Sequence, residues 1–260
     1  MKITSVISIM LLAGLSGFGP AWANESGNDR CRVPDAFARV DSFLPRFAEA
    51  IAKDQPVKIV ILGTASSAGA GVSAPHHSYP ERLREELSRR RDQETPISLI
   101  NLSQRGWTAV EMAAVLDAKV IPLKPTLMIW QTGSVEAVRG LDVNQMGDAL
   151  SAGVAKLRAN DIDVVLISPQ YGPQSASMIN FAPYAEYMQW IATSLDVNLF
   201  NRYEIMRYWF EEKIIQIDET NRATQNLVAI QVHECVAVRL ADLIIRAMSL
   251  EAPPSESSAR

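Results

Sequence analysis

Five short apolar runs, separated by helical patterns, constrain this fold more than any other feature of the chain. They are Val57–Leu62, Ile97–Asn101, Thr126–Gln131, Val164–Ser168 and Val197–Phe200. Most carry too little alternation to be half-exposed strands. Near-continuous apolar strands are what a parallel sheet covered on both faces requires. Between and after them lie helical patterns at Tyr79–Arg90, Ala109–Val120, Val143–Ala159, Pro183–Leu195 and Glu234–Met248. In the first, Leu83 and Leu87 fall four residues apart while Arg and Glu occupy the other faces, the pattern of a helix with one buried stripe. The βαβα order predicts an α/β fold, a doubly wound three-layer α/β/α sandwich.

The start of the chain reads as an export signal. Lys2 supplies a positive start, Ile3 to Leu15 an apolar core, and Ala21-Trp22-Ala23 a small-x-small cleavage site. The apolar run is shorter than the roughly 20 residues that span a bilayer, so no transmembrane segment is expected after cleavage. The expected organisation is a signal peptide over 1–23, an N-terminal extension and lead-in helix over 24–50, one folded domain over 51–250, and a disordered tail over 251–260. Residues Asn24–Arg30 are expected to be loose as well.

Cleavage would leave the protein periplasmic or secreted. Two cysteines, Cys31 and Cys235, lie near opposite ends of the mature chain, and an oxidising compartment favours a disulfide between them. The three histidines are not at zinc-site spacing, so no metal or other cofactor is expected. A formal net charge of −4 with no long basic tract argues against nucleic acid, whose binding depends on neutralising phosphates.

In sheets of this type the ligand site lies at the carboxyl ends of the strands. Here those ends are Gly63–Ser67, Asn101–Trp107, Gln131–Glu136 and Ser168–Gly172, rich in Gly, Ser, Asn and Gln. Such residues permit close backbone approach and hydrogen bonding, and they also simply make turns.

Taken in order, the segments ILGTASSAGAG with downstream SYPERL, INLSQRGWTA, LMIWQTGSVEA and the final CVAVRLADLI resemble the SGNH, or GDSL-type, hydrolase family over nearly all the mature chain. The resemblance implies a flavodoxin-like sandwich with a five-stranded sheet, and descent from secreted esterases or acyltransferases. In that family a serine attacks an ester carbonyl, a histidine takes its proton and an aspartate orients the histidine. The oxyanion is held by the serine N–H, a glycine N–H of the second block and an asparagine side chain of the third.

Laid over this chain, the resemblance implies that the machinery has been lost. The G-D-S-x-T-x-G pattern falls on Gly63-Thr64-Ala65-Ser66-Ser67-Ala68-Gly69, so Ala65 occupies the nucleophile position. Gly106 matches the oxyanion glycine, and Val135, following Gly133 and Ser134, replaces the asparagine. For the last block, D-x-x-H, ungapped extension from Phe200–Trp209 puts Thr224 and Leu227 under Asp and His. Anchoring on His233 puts Ile230 under the aspartate. The first register is preferred, because His233 abuts the apolar stripe Val236, Leu240 and Ile244 and leaves no room for the family's loop. His233 itself is expected at a helix cap or on the surface.

Three functions compete. The first is a non-catalytic pseudo-hydrolase binding an acyl or carbohydrate ligand, or an envelope protein, in a pocket bounded by Thr64, Ala65, Gly106, Gly133 and Val135. The second is a working esterase or acyltransferase with a relocated serine, Ser66 or Ser67, and a base from His76, His77 or His233. In this reading a one-residue shift is expected to turn Ser66 away from the pocket, and Ser67 has the plainer role of a hydrogen bond under the turn. The third is an envelope interaction protein using the aromatics Tyr184, Tyr187, Trp190, Tyr203, Tyr208, Trp209 and Phe210, which at helical spacing more often belong to a core.

Overall fold

All five apolar runs become strands of one parallel sheet in the computed structural model, which describes residues 29–91, 96–217 and 221–250. The strands are β1 (Val57–Leu62), β2 (Ile97–Asn101), β3 (Leu127–Gln131), β4 (Asp163–Ile167) and β5 (Asn198–Phe200), in the order β2-β1-β3-β4-β5. Around them run α1 (Pro45–Ala52), α2 (Tyr79–Arg90), α3 (Ala109–Ala114), α4 (Ser134–Arg139) and α5 (Val143–Arg158). Then follow α6 (Pro173–Ala176), α7 (Ala182–Ser194), α8 (Arg202–Glu211) and α9 (Arg222–Met248). The expected signal peptide and C-terminal tail, and the first residues of the extension, lie outside the described residues.

Period-two geometry divides each strand between two cores. Val57, Ile59 and Ile61 of β1 join Leu83 and Leu87 of α2 and Val236, Leu240 and Ile244 of α9 on one face. Val60 and Leu62 join Met112 of α3, Leu150 and Val154 of α5 and Met188 of α7 on the other. Both faces are therefore covered, which is why the strands read as continuous apolar runs. The chain winds from β1 outward to β2, then returns past β1 to β3 and on to β5. The direction of winding reverses between β1 and β3, and a crevice opens at the carboxyl ends of that pair.

Two helices depart from their expected limits. α3 ends at Ala114, and the chain continues through a wider π-type turn over Leu116–Val120 and a 3₁₀ turn over Ile121–Leu123. The wider turn keeps Leu116 and Val120 in the core ahead of Pro122, which cannot donate a helical hydrogen bond. α9 begins at Arg222 rather than Glu234. No glycine or proline interrupts Arg222–Met248, so nothing stops the helix from extending through both candidate registers of the last motif.

The N-terminal extension is tied to the same core. Leu44 and Phe47 are buried. Asn198 of β5 accepts from the backbone N–H groups of Asp41 and Ser42, both at 3.1 Å, and donates to the Ser42 carbonyl at 2.7 Å. Asp29–Cys31 forms a 3₁₀ turn rather than a loose end, and Cys31 is disulfide-bonded to Cys235 of α9. Of the aromatics, Trp209 is buried and donates to the Arg32 carbonyl, and Tyr203 is buried as well. Trp190 is 58% exposed and stacks on Tyr187. No helix among the described residues is long and apolar enough to cross a membrane.

The disulfide joins residues 204 apart, a loop long enough for the chain-entropy contribution to reach about 5 kcal/mol. The double variant Cys31→Ala/Cys235→Ala is expected to lose about 2–5 kcal/mol in denaturant unfolding. An unchanged midpoint would show that the bond adds nothing to folding.

Candidate functional site

The turn after β1 is held from below by β3. The Gln131 side-chain oxygen accepts from Thr64 N–H (3.0 Å), Thr64 Oγ1 (3.0 Å) and Ser67 Oγ (3.1 Å). Gly63 makes this possible, since a Cβ there would come within 2.4 Å of Ser67 Oγ. Ser67 is fully buried, also bonds Tyr79 Oη at 2.6 Å, and its carbonyl accepts from Asn101 Nδ2 at 2.7 Å. The structure places it under the turn and turned from solvent.

Above this scaffold lies a cavity of about 360 Å³, within the size range of small-ligand pockets. Thr64, Ala65 and Ser66 form one wall, with Gly106 beside them. Val135, Val138, Ile179 and Phe181 supply apolar surface, while Ser134, Arg139 and Gln170 supply polar groups. Four of the five expected ligand residues, Thr64, Ala65, Gly106 and Val135, thus meet at one cavity. Gly133 stands next to it as the N-cap of α4. Its φ is +88°, and a Cβ there would lie 2.7 Å from Pro169 Cγ, so only glycine fits this turn comfortably.

Ser66 also faces the cavity, contrary to the expectation that one residue's shift would turn it away. That expectation assumed helical geometry, whereas residues 65–71 form consecutive turns rather than a helix. Its hydroxyl is held by Arg202, whose Nη1 donates to Ser66 Oγ at 2.7 Å. Arg202 is the first residue of α8 and is 1% exposed. Its guanidinium lies over the Tyr79 ring, 5.7 Å from the centroid. Burial lowers its pKa to about 10, which leaves it charged at neutral pH.

His233 is neither a helix cap nor a surface residue. It sits within α9, is 4% exposed, and its Nδ1 accepts the Tyr79 backbone N–H at 2.9 Å. The histidine thereby fastens α9 to the start of α2. Thr224 and Leu227 lie near the start of α9, where Leu227 is 64% exposed. His76 and His77 sit in a short 3₁₀ turn, ring against ring with centroids 4.1 Å apart. Among the described residues no group of three or more His, Cys, Asp and Glu side chains could hold a metal ion.

Sequence reasoning missed three side chains: Gln131, Tyr79 and Arg202. A fourth is Glu136, a buried carboxylate that accepts from the backbone N–H groups of Ala109 and Gly133 and from Thr132 Oγ1. It ties α4 to α3 at the cavity's rim. One signal was available for Arg202: a cation at the first turn of a helix, directly after an Asn N-cap, opposes the helix dipole and needs a reason.

A model of the Non-GDSL lipase-like family matches residues 30–250. The chain belongs to this family. Among solved structures, this non-GDSL lipase-like chain resembles a lipase/acylhydrolase from Enterococcus faecalis at 17% identity, covering 70% of this chain and 96% of that one with a TM-score of 0.53. It also resembles a catalytic mutant of an acetylxylan esterase from Geobacillus stearothermophilus at 16% identity, covering 75% and 95% with a TM-score of 0.52. A third is a psychrotrophic esterase from Pseudoalteromonas sp. inhibited by monoethylphosphonate, at 23% identity, covering 69% and 96% with a TM-score of 0.50. These likenesses show the fold, the α/β sandwich of the SGNH hydrolases. No curated protein matches the sequence significantly.

The buried groups of this non-GDSL lipase-like fold set its response to acid. Burial, reinforced by the Arg202 charge, lowers the His233 pKa from 6.5 to about 4. Its contribution to stability is therefore present above about pH 6.5 and lost as pH falls toward 4, amounting to about 3 kcal/mol. Asp163, buried at the start of β4, moves the other way. Burial raises it from 3.8 to about 6, against a hydrogen bond from Phe47 N–H. Its contribution is present below about pH 4 and lost as pH rises through 6. Relative to wild type, His233→Gln is expected to remove the loss on acidification between pH 6.5 and 4, and Asp163→Asn to remove the opposing gain. Parallel unfolding curves for wild type and His233→Gln across that window would contradict the assignment.

Proposed function

We propose that this chain is an exported pseudo-hydrolase: an SGNH-type fold that keeps the substrate cavity for binding and has given up ester hydrolysis. The observation that carries the reading is the partner of Ser66. The serine nearest the nucleophile position faces the cavity, yet its hydroxyl is bonded to a guanidinium, which takes no proton from it at neutral pH. The position itself is alanine, and the histidine of α9 uses its Nδ1 to accept a backbone N–H. Loss of a triad serine or histidine costs on the order of 10⁶ in turnover, and loss of an oxyanion side chain about 10²–10³.

Folding requires none of these groups, so the cavity outlives the chemistry. The esterases and acylhydrolase among the structural neighbours and the apolar wall of Val135, Val138, Ile179 and Phe181 support an acyl-bearing ligand. Export is supported by the N-terminal signal pattern and by the Cys31–Cys235 disulfide.

The relocated-serine alternative needs a base at Ser66 or Ser67. Ser67 bonds only Tyr79 and Gln131 through its hydroxyl, and Ser66 bonds Arg202. Restoring the nucleophile tests the difference. Ala65→Ser is expected to hydrolyse p-nitrophenyl acetate and butyrate no faster than wild type, both at the uncatalysed rate. Saturable turnover by Ala65→Ser would overturn the reading.

A further inference from the structure

Arg202 is a buried charge without a counter-charge. It is 1% exposed and fully enclosed in the protein interior. Nη1 donates to Ser66 Oγ at 2.7 Å, Nη2 to Gln170 Oε1 at 3.4 Å, and Nε is buried with no partner. Among the described residues no carboxylate pairs with it; the neighbouring charge-bearing group is the Tyr79 phenol, itself held neutral by burial. A buried cation left unpaired costs several kcal/mol, and its place in the first turn of α8 adds an unfavourable helix dipole.

Ser66 and Gln170, the two residues that Arg202 grips, both line the cavity. Because Ser66 Oγ accepts from Arg202, its own proton is free to be donated elsewhere. Because Gln170 Oε1 accepts from Arg202, its amide NH₂ is likewise left to donate. Ser134 Oγ, on the cavity's other side, is buried and has no partner. Arg139 contributes a second cation to the lining, and no Asp or Glu belongs to it. The polar part of this cavity is a set of donors with a positive charge behind them, facing an apolar wall.

We infer that the cavity is a receptor for a small carboxylate with an apolar tail, its carboxylate received by Ser66, Gln170 and Ser134 in the field of Arg202 and its tail laid against Val135 and Phe181. The inference rests on the binding reading above and names the ligand class of that same site. It is a different ligand from the neutral ester that a hydrolase of this fold would take, since a neutral acyl group leaves Arg202 uncompensated. A hydrogen bond to a charged group is worth roughly twice a neutral one, so discrimination between acid and neutral isostere is the property to read.

The experiment is calorimetric titration of the purified, disulfide-intact protein with hexanoate, hexanamide and inorganic phosphate, alongside an assay of ethyl hexanoate hydrolysis. Hexanoate is expected to bind about tenfold or more tighter than hexanamide, and phosphate, which offers no tail, more weakly than hexanoate. Arg202→Met should abolish the preference. Ser66→Ala, which leaves the buried charge in place, should reduce affinity for hexanoate by about tenfold while sparing hexanamide. Equal binding of acid and amide, absence of hexanoate binding, or an undiminished preference in Ser66→Ala would overturn the carboxylate inference and leave the pseudo-hydrolase reading standing. Turnover of ethyl hexanoate would instead overturn that reading.

Discussion

One amide oxygen organises the site. Gln131 ends the central strand β3, and its Oε1 collects three donors from the turn after β1. That convergence fixes Thr64 and Ser67 at the switch point of the sheet, and with them the placing of Ala65 and Ser66 at the cavity wall. Ser67 passes the constraint to Tyr79, and the Tyr79 backbone passes it to His233 in α9. The turn, the first helix of the sandwich and the last are thereby one hydrogen-bonded unit, buried where unmet polar groups are costly.

This unit uses residue types that resemble a hydrolase's and joins them as a scaffold. A serine, a tyrosine and a histidine lie close together beneath the turn, each hydrogen-bonded to a structural partner. The serine exposed to the cavity is paired with a permanent cation. The unit's rigidity holds the cavity wall in shape. That wall sets hydrogen-bond donors and positive charge against an apolar side.

The sheet and its order of elements were legible because burial on both faces leaves a plain signature: five apolar runs whose limits moved by a residue at most. Helix limits were less so. The final helix was expected from Glu234 because its apolar stripe starts there, yet the preceding turns are helical with a partly exposed surface and so carry no stripe. The cavity walls were legible in Ala65, Gly106 and Val135 through the family likeness. Arg202 and Gln131 were not, since their roles depend on contacts across 136 and 67 residues of chain and no local pattern encodes such contacts. His233 misled for a related reason. Beside an apolar stripe it looked like a boundary residue, whereas the Tyr79 N–H supplied the acceptor's partner that lets a histidine be buried.

The most direct test of the central claim is the intact mass of the purified protein after treatment with a fluorophosphonate serine probe, with an active SGNH esterase labelled in parallel. The account predicts no adduct on this chain while the control esterase is labelled. An adduct, above all one mapped to Ser66, would show an activated serine beside Arg202 and would contradict the claim that this cavity binds without cleaving.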